Sequence, residues 1–402
     1  MKPSSSISMR RAMTEERDAG WSDWGLLEPL AASAGATSDD AVLAALLDVE
    51  RALLWADGDL TGRDIDIVAG AFRPEAIDRD ALLDGLRTGG VPVIPLVSQL
   101  RAIAESVAPG SGPSVHAGAT SQDVLDSALV LVASRAIRVA RDRLIDAGAA
   151  LVALAENEAR TIAIARTLGQ HAAQSTVGVV AAGWLDGVTS AVEEVDALSF
   201  PVQLGGAVGT GEGVGPDVRA ALAAGLGLDD PGRSWHTERS PILRIAASVA
   251  VITAVLGRLG RDVGFLARTE IGEVVLGTTG GSSAMPHKRN PVDAVLLTAN
   301  GLRAPGLLAT VHTAAVSQDA RPAGEWHAEW AAFRALLRIA VESSDAAATM
   351  LSALTIDHDA VQRSRAISPE LQHDETATIA ASQRVVGAAV RRFASLSTKD
   401  PR

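Results

Sequence analysis

The chain contains no cysteine and no tyrosine. Without cysteine there is no disulfide, no thiolate zinc site and no cysteine nucleophile. Aromatic residues are only 3% of the 402, against 47% hydrophobic residues in all, so small aliphatic side chains must fill a sizeable core. Alanine and leucine at such density favour helices that approach one another closely. Positive charge is also in deficit. The formal net charge of −12 argues against nucleic acid as the main partner, while leaving room for an anionic small molecule in a locally cationic cleft. The first twenty residues, MKPSSSISMRRAMTEERDAG, lack the apolar stretch of a signal peptide. The longest apolar run, Ala246 to Leu256, is fenced by Arg244 and Arg258. It falls short of the roughly 18–20 residues that span a bilayer. These absences predict a soluble, cytoplasmic protein with no membrane partner. Strand-like alternation is scarce as well; VPVIPLV is interrupted twice by proline and makes a poor strand.

Helical periodicity fills the rest. From Gln122 to about Glu158 no proline occurs, and Val130, Ala133, Ile137, Ala140, Leu144, Ala147, Leu151 and Leu154 alternate by three and four. That spacing predicts one long helix with a packing seam whose alanines admit close neighbours. Further helical patterns run from about Thr176 to Leu198, from Pro241 to Arg268, from Pro291 onward, and from about Gly324 to Leu354. The pattern predicts an all-α fold in three parts: an N-terminal helical domain (1–112), a central long-helix bundle (113–354) and a C-terminal segment of short helices (355–402). Helices this long with so few bulky residues point to an elongated bundle that completes its core against other copies of itself.

Three segments rich in hydroxyl, glycine or histidine sit at the ends of these helices. HAGATSQDVLDSA, His116 to Ala128, reads as a helix start with Thr120 or Ser121 as N-cap and an acid in the first turn. A helix N-terminus topped by hydroxyls is equally a carboxylate-binding site. In ARTLGQHAAQSTVG, Ala165 to Gly178, His171 is either a turn histidine bonded to backbone or a proton carrier with a well-matched intrinsic pKa. GTTGGSSAMPHKRNP, Gly277 to Pro291, reads as a mobile, hydroxyl-bearing loop. It ends in Asn290 as N-cap and Pro291 at the first helical position. Helix capping does not account for Ser282, Ser283, Lys288 and Asn290 crowding there together. No spacing of histidines or carboxylates suits a metal and no glycine-rich strand-to-helix fingerprint suits a nucleotide, so no cofactor is expected.

GSSAMPHKRNP closely resembles the signature loop of the fumarase/aspartase superfamily, which includes the adenylosuccinate and argininosuccinate lyases. GATSQD and RTLGQHAAQSTVG resemble its two other conserved segments, in the same order. The resemblance runs from about residue 20 to residue 390. Within the superfamily, GLLEPL, VIPLVSQL, HAGATSQD, GQHA, AAGWL, SWHTERS and WHAEW resemble the bacterial 3-carboxy-cis,cis-muconate cycloisomerases of protocatechuate (β-ketoadipate) catabolism. The lyases usually carry histidine directly after the Arg-Thr of the second motif, where this chain has Leu168. The cycloisomerases place one three residues on, which corresponds to His171.

The resemblance implies lactone closure on a small polycarboxylate, with a lyase that eliminates fumarate as the alternative and a silent structural homologue as a third. It implies Ser282 as the acid–base group, with His171 as the alternative proton carrier and both lying in the site. Thr120, Ser121, His116, Gln170, Ser283, Met285, Lys288, Asn290 and Arg321 are implied as substrate-binding residues. His236 and His327 fall in matching motifs as supporting or binding residues, and His287 reads as a solvated loop residue. It further implies a homotetramer with active sites shared between subunits, and a C-terminal helical domain fuller than the short one seen after Thr355.

Overall fold

The computed structural model describes residues 27–30, 34–57, 63–277, 280–281, 285 and 288–398. Helices α1 (Asp39–Asp57), α2 (Arg63–Ala71), α3 (Arg79–Gly89) and α4 (Val93–Val107) come first. VPVIPLV opens α4, with Pro92 at the cap position and Pro95 in the first turn, where the missing N–H costs nothing.

Five long helices then form the body: α5 (Ser121–Asn157), α6 (Val177–Asp196), α8 (Ser240–Leu266), α9 (Val292–Ala314) and α10 (Glu325–Ser352), with the short α7 (Pro216–Leu226) between α6 and α8. The seam predicted on α5 is buried at every position but Leu154, where Ala155 takes the inner place. From Gln122 to Ser134 the helix is buried on all sides, which makes α5 the axis of the bundle. Small residues set the spacing. A Cβ on Gly257 of α8 would lie 3.0 Å from the Gly301 Cα of α9, and one on Gly260 would lie 2.6 Å from the Ala294 carbonyl oxygen. Rising numbers on α8 meet falling numbers on α9, so the two run antiparallel.

Side-chain ties orient the rest. Arg239, the residue before α8, binds Asp126 near the start of α5 and Glu329 near the start of α10. Helices α5, α8 and α10 therefore begin at one end of the bundle, and α6 and α9 return between them. At the far end, β1 (Ile162–Thr167) and β2 (Gln170–Thr176) form an antiparallel hairpin, and β3 (Val274–Val275) pairs with β4 (Thr355–Ile356). Helices α11 (His358–Ala366) and α12 (Glu375–Ala394) close the described chain.

Two helices, α8 and α9, are long and apolar enough to cross a membrane by length and composition, which the run-length reading did not register. Position in the bundle accounts for α8, which is mostly enclosed by its neighbours. Helix α9 packs on α8 and α10 yet leaves Val295 and Leu302 exposed on its outer side.

Candidate active site

The N-terminus of α5 is built around Thr120. It holds the N-cap position in extended backbone (φ −119°, ψ 161°), and Ser121 opens the helix. Its backbone N–H donates to Asp123 Oδ2 at 3.0 Å, and its Oγ1 accepts from Arg321 Nη2 at 2.8 Å. Arg321 also donates to the Ala207 carbonyl at 3.2 Å. Thr120 and Arg321, both expected among the substrate-binding residues and 201 residues apart in sequence, thus meet. Ala207 belongs to GGAVGTGEGVG, residues 205–215, a segment not singled out from the sequence. Its glycines at 206, 209, 211 and 213 all take positive φ, a conformation that favours glycine. Repeated glycine at alternate positions was the available signal. His116 lies just before this cap, with Nδ1 2.7 Å from Glu50 Oε1.

Behind the cap lies a buried polar network. The Asp123 carboxylate accepts from His236 Nε2 at 2.7 Å, from the Gly205 and Gly206 amides at 2.9 Å each, and from Gln203 Nε2 at 3.2 Å. One acid thereby fixes both the helix start and the root of the glycine-rich loop. His236, expected from its motif to support or bind, is buried within this network. Deeper still, Arg239 bridges Asp126 and Glu329, while Trp326 Nε1 donates to Asp126 at 2.9 Å. Burial disfavours the Arg239 charge, but Asp126 and Glu329 more than offset it and hold the guanidinium above its ordinary range. Burial in turn pushes the Glu329 carboxyl up, and Arg239 only partly restores it. Removing one partner of such a buried cluster costs about 3–5 kcal/mol, so this group stiffens the floor of the site. His327, the other motif histidine, stacks 4.5 Å from Trp330.

The second predicted segment is a β-hairpin rather than a plain turn between helices. Leu168 (φ 51°) and Gly169 (φ 79°) form its tip in the left-handed region, and Leu168 is fully exposed. Gln170 opens β2 opposite Thr167, and His171 pairs with Arg166 next to a register irregularity. His171 Nδ1 sits 2.8 Å from Ser368 Oγ, a side chain between α11 and α12 and not backbone. The same strand is held by Gln174 to Thr378 at 3.3 Å and by Thr176 to Ser382 at 2.5 Å. On β1, Arg166 binds Glu273, which follows α8.

The third segment lies at this same end. Gly280 and Asn290 exchange both backbone hydrogen bonds at 3.0 Å, and Asn290 Nδ2 donates to the Gly281 carbonyl at 3.2 Å. Asn290 therefore closes the neck of the loop and is not an N-cap. Pro291 takes the cap position and α9 begins at Val292, one residue later than predicted. A Cβ on Gly280 would lie 2.3 Å from Val292 Cγ2, so the neck needs glycine there. Met285 and Lys288 are exposed, and the Lys288 N–H donates to the Met285 carbonyl at 3.0 Å. Ser282, Ser283 and His287 lie outside the described residues.

The predicted site residues thus fall into two groups. His116, Thr120, Ser121 and Arg321 stand at the start of α5; Gln170, His171, Met285, Lys288 and Asn290 stand beyond its end. At 1.5 Å per residue, the 37-residue helix separates them by roughly 55 Å. A single chain does not bring them together. Two cavities, of about 190 Å³ beside Arg166, Phe265 and Glu273 and of about 810 Å³ beside Arg51, Trp55 and Arg135, are lined by none of the predicted site residues. Among the described residues, no three histidines or carboxylates gather as a metal site requires.

Residues 97–306 match the family described as Lyase. A nitrosuccinate lyase of Streptomyces davaonensis is 39% identical over 84% of this chain and 76% of its own length. A 3-carboxy-cis,cis-muconate cycloisomerase of Pseudomonas aeruginosa is 36% identical over 87% of this chain and 78% of its own. Among solved structures, the 3-carboxy-cis,cis-muconate lactonizing enzyme of Pseudomonas putida superposes with a TM-score of 0.78 at 30% identity, covering 90% of this chain and 86% of that one. A fold of parallel and returning long helices, three ordered motifs at its two ends and these likenesses agree: the chain is an enzyme of the fumarase/aspartase superfamily.

Proposed function

We propose that the enzyme closes 3-carboxy-cis,cis-muconate to 4-carboxymuconolactone. One substrate carboxylate oxygen bonds to a carbon of the conjugated diene, the π electrons move toward the neighbouring carboxylate, and the adjacent carbon takes a proton. The reaction is intramolecular, so holding one folded conformer supplies much of the acceleration. The remaining requirements are donors for the developing oxyanion and one proton carrier. Thr120, Ser121, His116 and Arg321 bind carboxylate at one end of a chain. Gln170, Ser283, Met285, Lys288 and Asn290 bind at the other, with Ser282 and His171 as acid–base groups. A tricarboxylate substrate accounts for this concentration of cations and hydroxyls in an acidic protein. No cofactor enters the reaction.

The observation that carries this reading is the hairpin. Leu168, at the position where the lyases have histidine, is an exposed tip residue, while His171 is held on the strand by Ser368. The separation of the two residue groups supports a homotetramer in which each site takes residues from several chains. The exposed apolar side of α9 supports it as well.

A second reading rests on the 39% identity to a nitrosuccinate lyase. The same groups could take a proton from the carbon next to a carboxylate while nitrite leaves, giving fumarate. The two readings separate in one assay of the purified enzyme, following loss of diene absorbance with carboxymuconate and release of nitrite with nitrosuccinate. We expect kcat/KM for carboxymuconate to be higher by about 100-fold or more. In the same assay, Ser282→Ala and His171→Ala each lower kcat by roughly 10²–10⁴. Nitrite release without diene loss overturns the lactonisation. Full activity of both variants overturns the site.

A further inference from the structure

We infer that Glu50 is a positioning residue for the substrate-binding end of the site, acting through His116. Glu50 lies in α1 and its side chain is fully buried. A buried carboxylate is expensive unless both oxygens find donors. Here Oε1 is 2.7 Å from His116 Nδ1, and Oε2 has no hydrogen-bond partner among the described residues. An apolar side chain of similar size would serve the core better. His116 carries a second cost at the same contact. Its φ is 64°, in the left-handed region that non-glycine residues seldom adopt.

Two unfavourable features meeting at one hydrogen bond, four residues before the cap of α5, are not explained by packing. They are explained by what the bond fixes. A carboxylate on Nδ1 keeps the proton there, sets the plane of the ring and leaves Nε2 as the nitrogen available to a ligand. The side chain of His116 remains 13% exposed, so Nε2 can be reached. The neighbours that hold this geometry are Arg101, whose guanidinium donates to the Val115 carbonyl at 3.3 Å, and the glycine-rich loop, whose Val214 and Gly213 press against Gly118. Glu50 thus orients a ring that contacts the substrate carboxylate bound at Thr120 and Arg321. The inference rests on the reading of that end as a carboxylate site.

The test exploits the half-satisfied carboxylate. Glu50→Leu removes the acceptor but suits the core, so the thermal midpoint stays at or above that of the wild type. KM for the substrate that the wild type turns over rises by roughly tenfold or more, the loss expected for a hydrogen bond to a charged group, while kcat changes less. Glu50→Gln, which keeps an accepting oxygen in place, restores KM to within about threefold of the wild type. His116→Asn raises KM comparably, and adding Glu50→Leu to it raises KM no further, because the two act as one unit. A wild-type KM in Glu50→Leu, or a KM loss that multiplies in the double variant, overturns the inference. If the wild type turns over neither carboxymuconate nor nitrosuccinate, the functional reading fails by itself. The same variants are then compared by calorimetric binding of tricarballylate, where an additive loss of affinity, or no binding at all, overturns the role of Glu50.

Discussion

Glu342 sits midway along α10 with its side chain almost wholly buried and its Oε1 3.6 Å from Arg338 Nε, too far for a good hydrogen bond. Burial pushes its carboxyl above the ordinary value of 4.5, and Arg338 offsets only part of that. The native state therefore holds this proton more tightly than the unfolded chain does, so stability falls as pH rises through the folded-state value. The cost is absent below about pH 4.5 and grows as pH rises through the folded-state value. Glu342→Gln accordingly raises the thermal midpoint at pH 7, and the gain fades as pH is lowered toward 4.5. Melting curves of both proteins at the two pH values check this; a gain of equal size at both would rule out ionisation as its cause. At this scale the sequence was informative where a side chain acts locally. Thr120 as a cap and Asp123 in the first turn follow from helix chemistry alone. Asn290 next to a proline carries the same signal, but its partner, Gly280, is a loop away and only the folded neck brings them together. Glu50, Asp126 and Glu329 carry no local signal, since their roles come from what surrounds them.

The tip of the β1–β2 hairpin is a place where local preference and fold disagree. A two-residue turn of this type needs both central residues in the left-handed region, for which Asn-Gly is the favoured pair. Gly169 meets the need, but Leu168, at φ 51° and with its side chain in solvent, does not. Leu168→Asn should stabilise the enzyme by about 0.5–1 kcal/mol, visible as a rise in thermal or denaturant midpoint. A fall would mean that the leucine is covered in the assembled enzyme, and cross-linking at that position would then find its neighbour. The hairpin is also the element least legible in the sequence. IAIART is a short apolar run that periodicity cannot tell from helix, and QHAAQST alternates too weakly to register as a strand. Long helices were far easier: three-and-four spacing located α5, α6, α8 and α10 to within about two residues of both ends and α9 at its start, the usual uncertainty of a boundary. VPVIPLV was half legible. Its prolines excluded a strand, but they fall where a helix tolerates them, so the segment opens α4.

Across the whole molecule, the decisive fact is the length of α5, 37 residues. Its direction puts the Thr120 and Ser121 hydroxyls at one end of the bundle and the hairpin histidine and loop neck at the other. The sequence motifs alone carried no such separation, since three motifs in order say nothing of distance until a helix of known rise lies between them. A superfamily fold of this kind with split motifs favours assembly from several copies, and the prediction that follows is quantitative. Thr120→Ala and His171→Ala, each prepared alone, are expected to lose nearly all activity. When the two are mixed, unfolded and reassembled together in equal amounts, each site draws its Thr120 end from one chain and its His171 end from another. Either end is intact with even odds, so about a quarter of the sites recover both. Activity should climb from near zero toward that fraction of the wild-type value, with KM of the recovered sites unchanged. Mixing without dissociation should give none. If reassembly restores nothing while each variant still forms the wild-type oligomer, Thr120 and His171 do not meet across chains, and the two ends of α5 serve separate purposes.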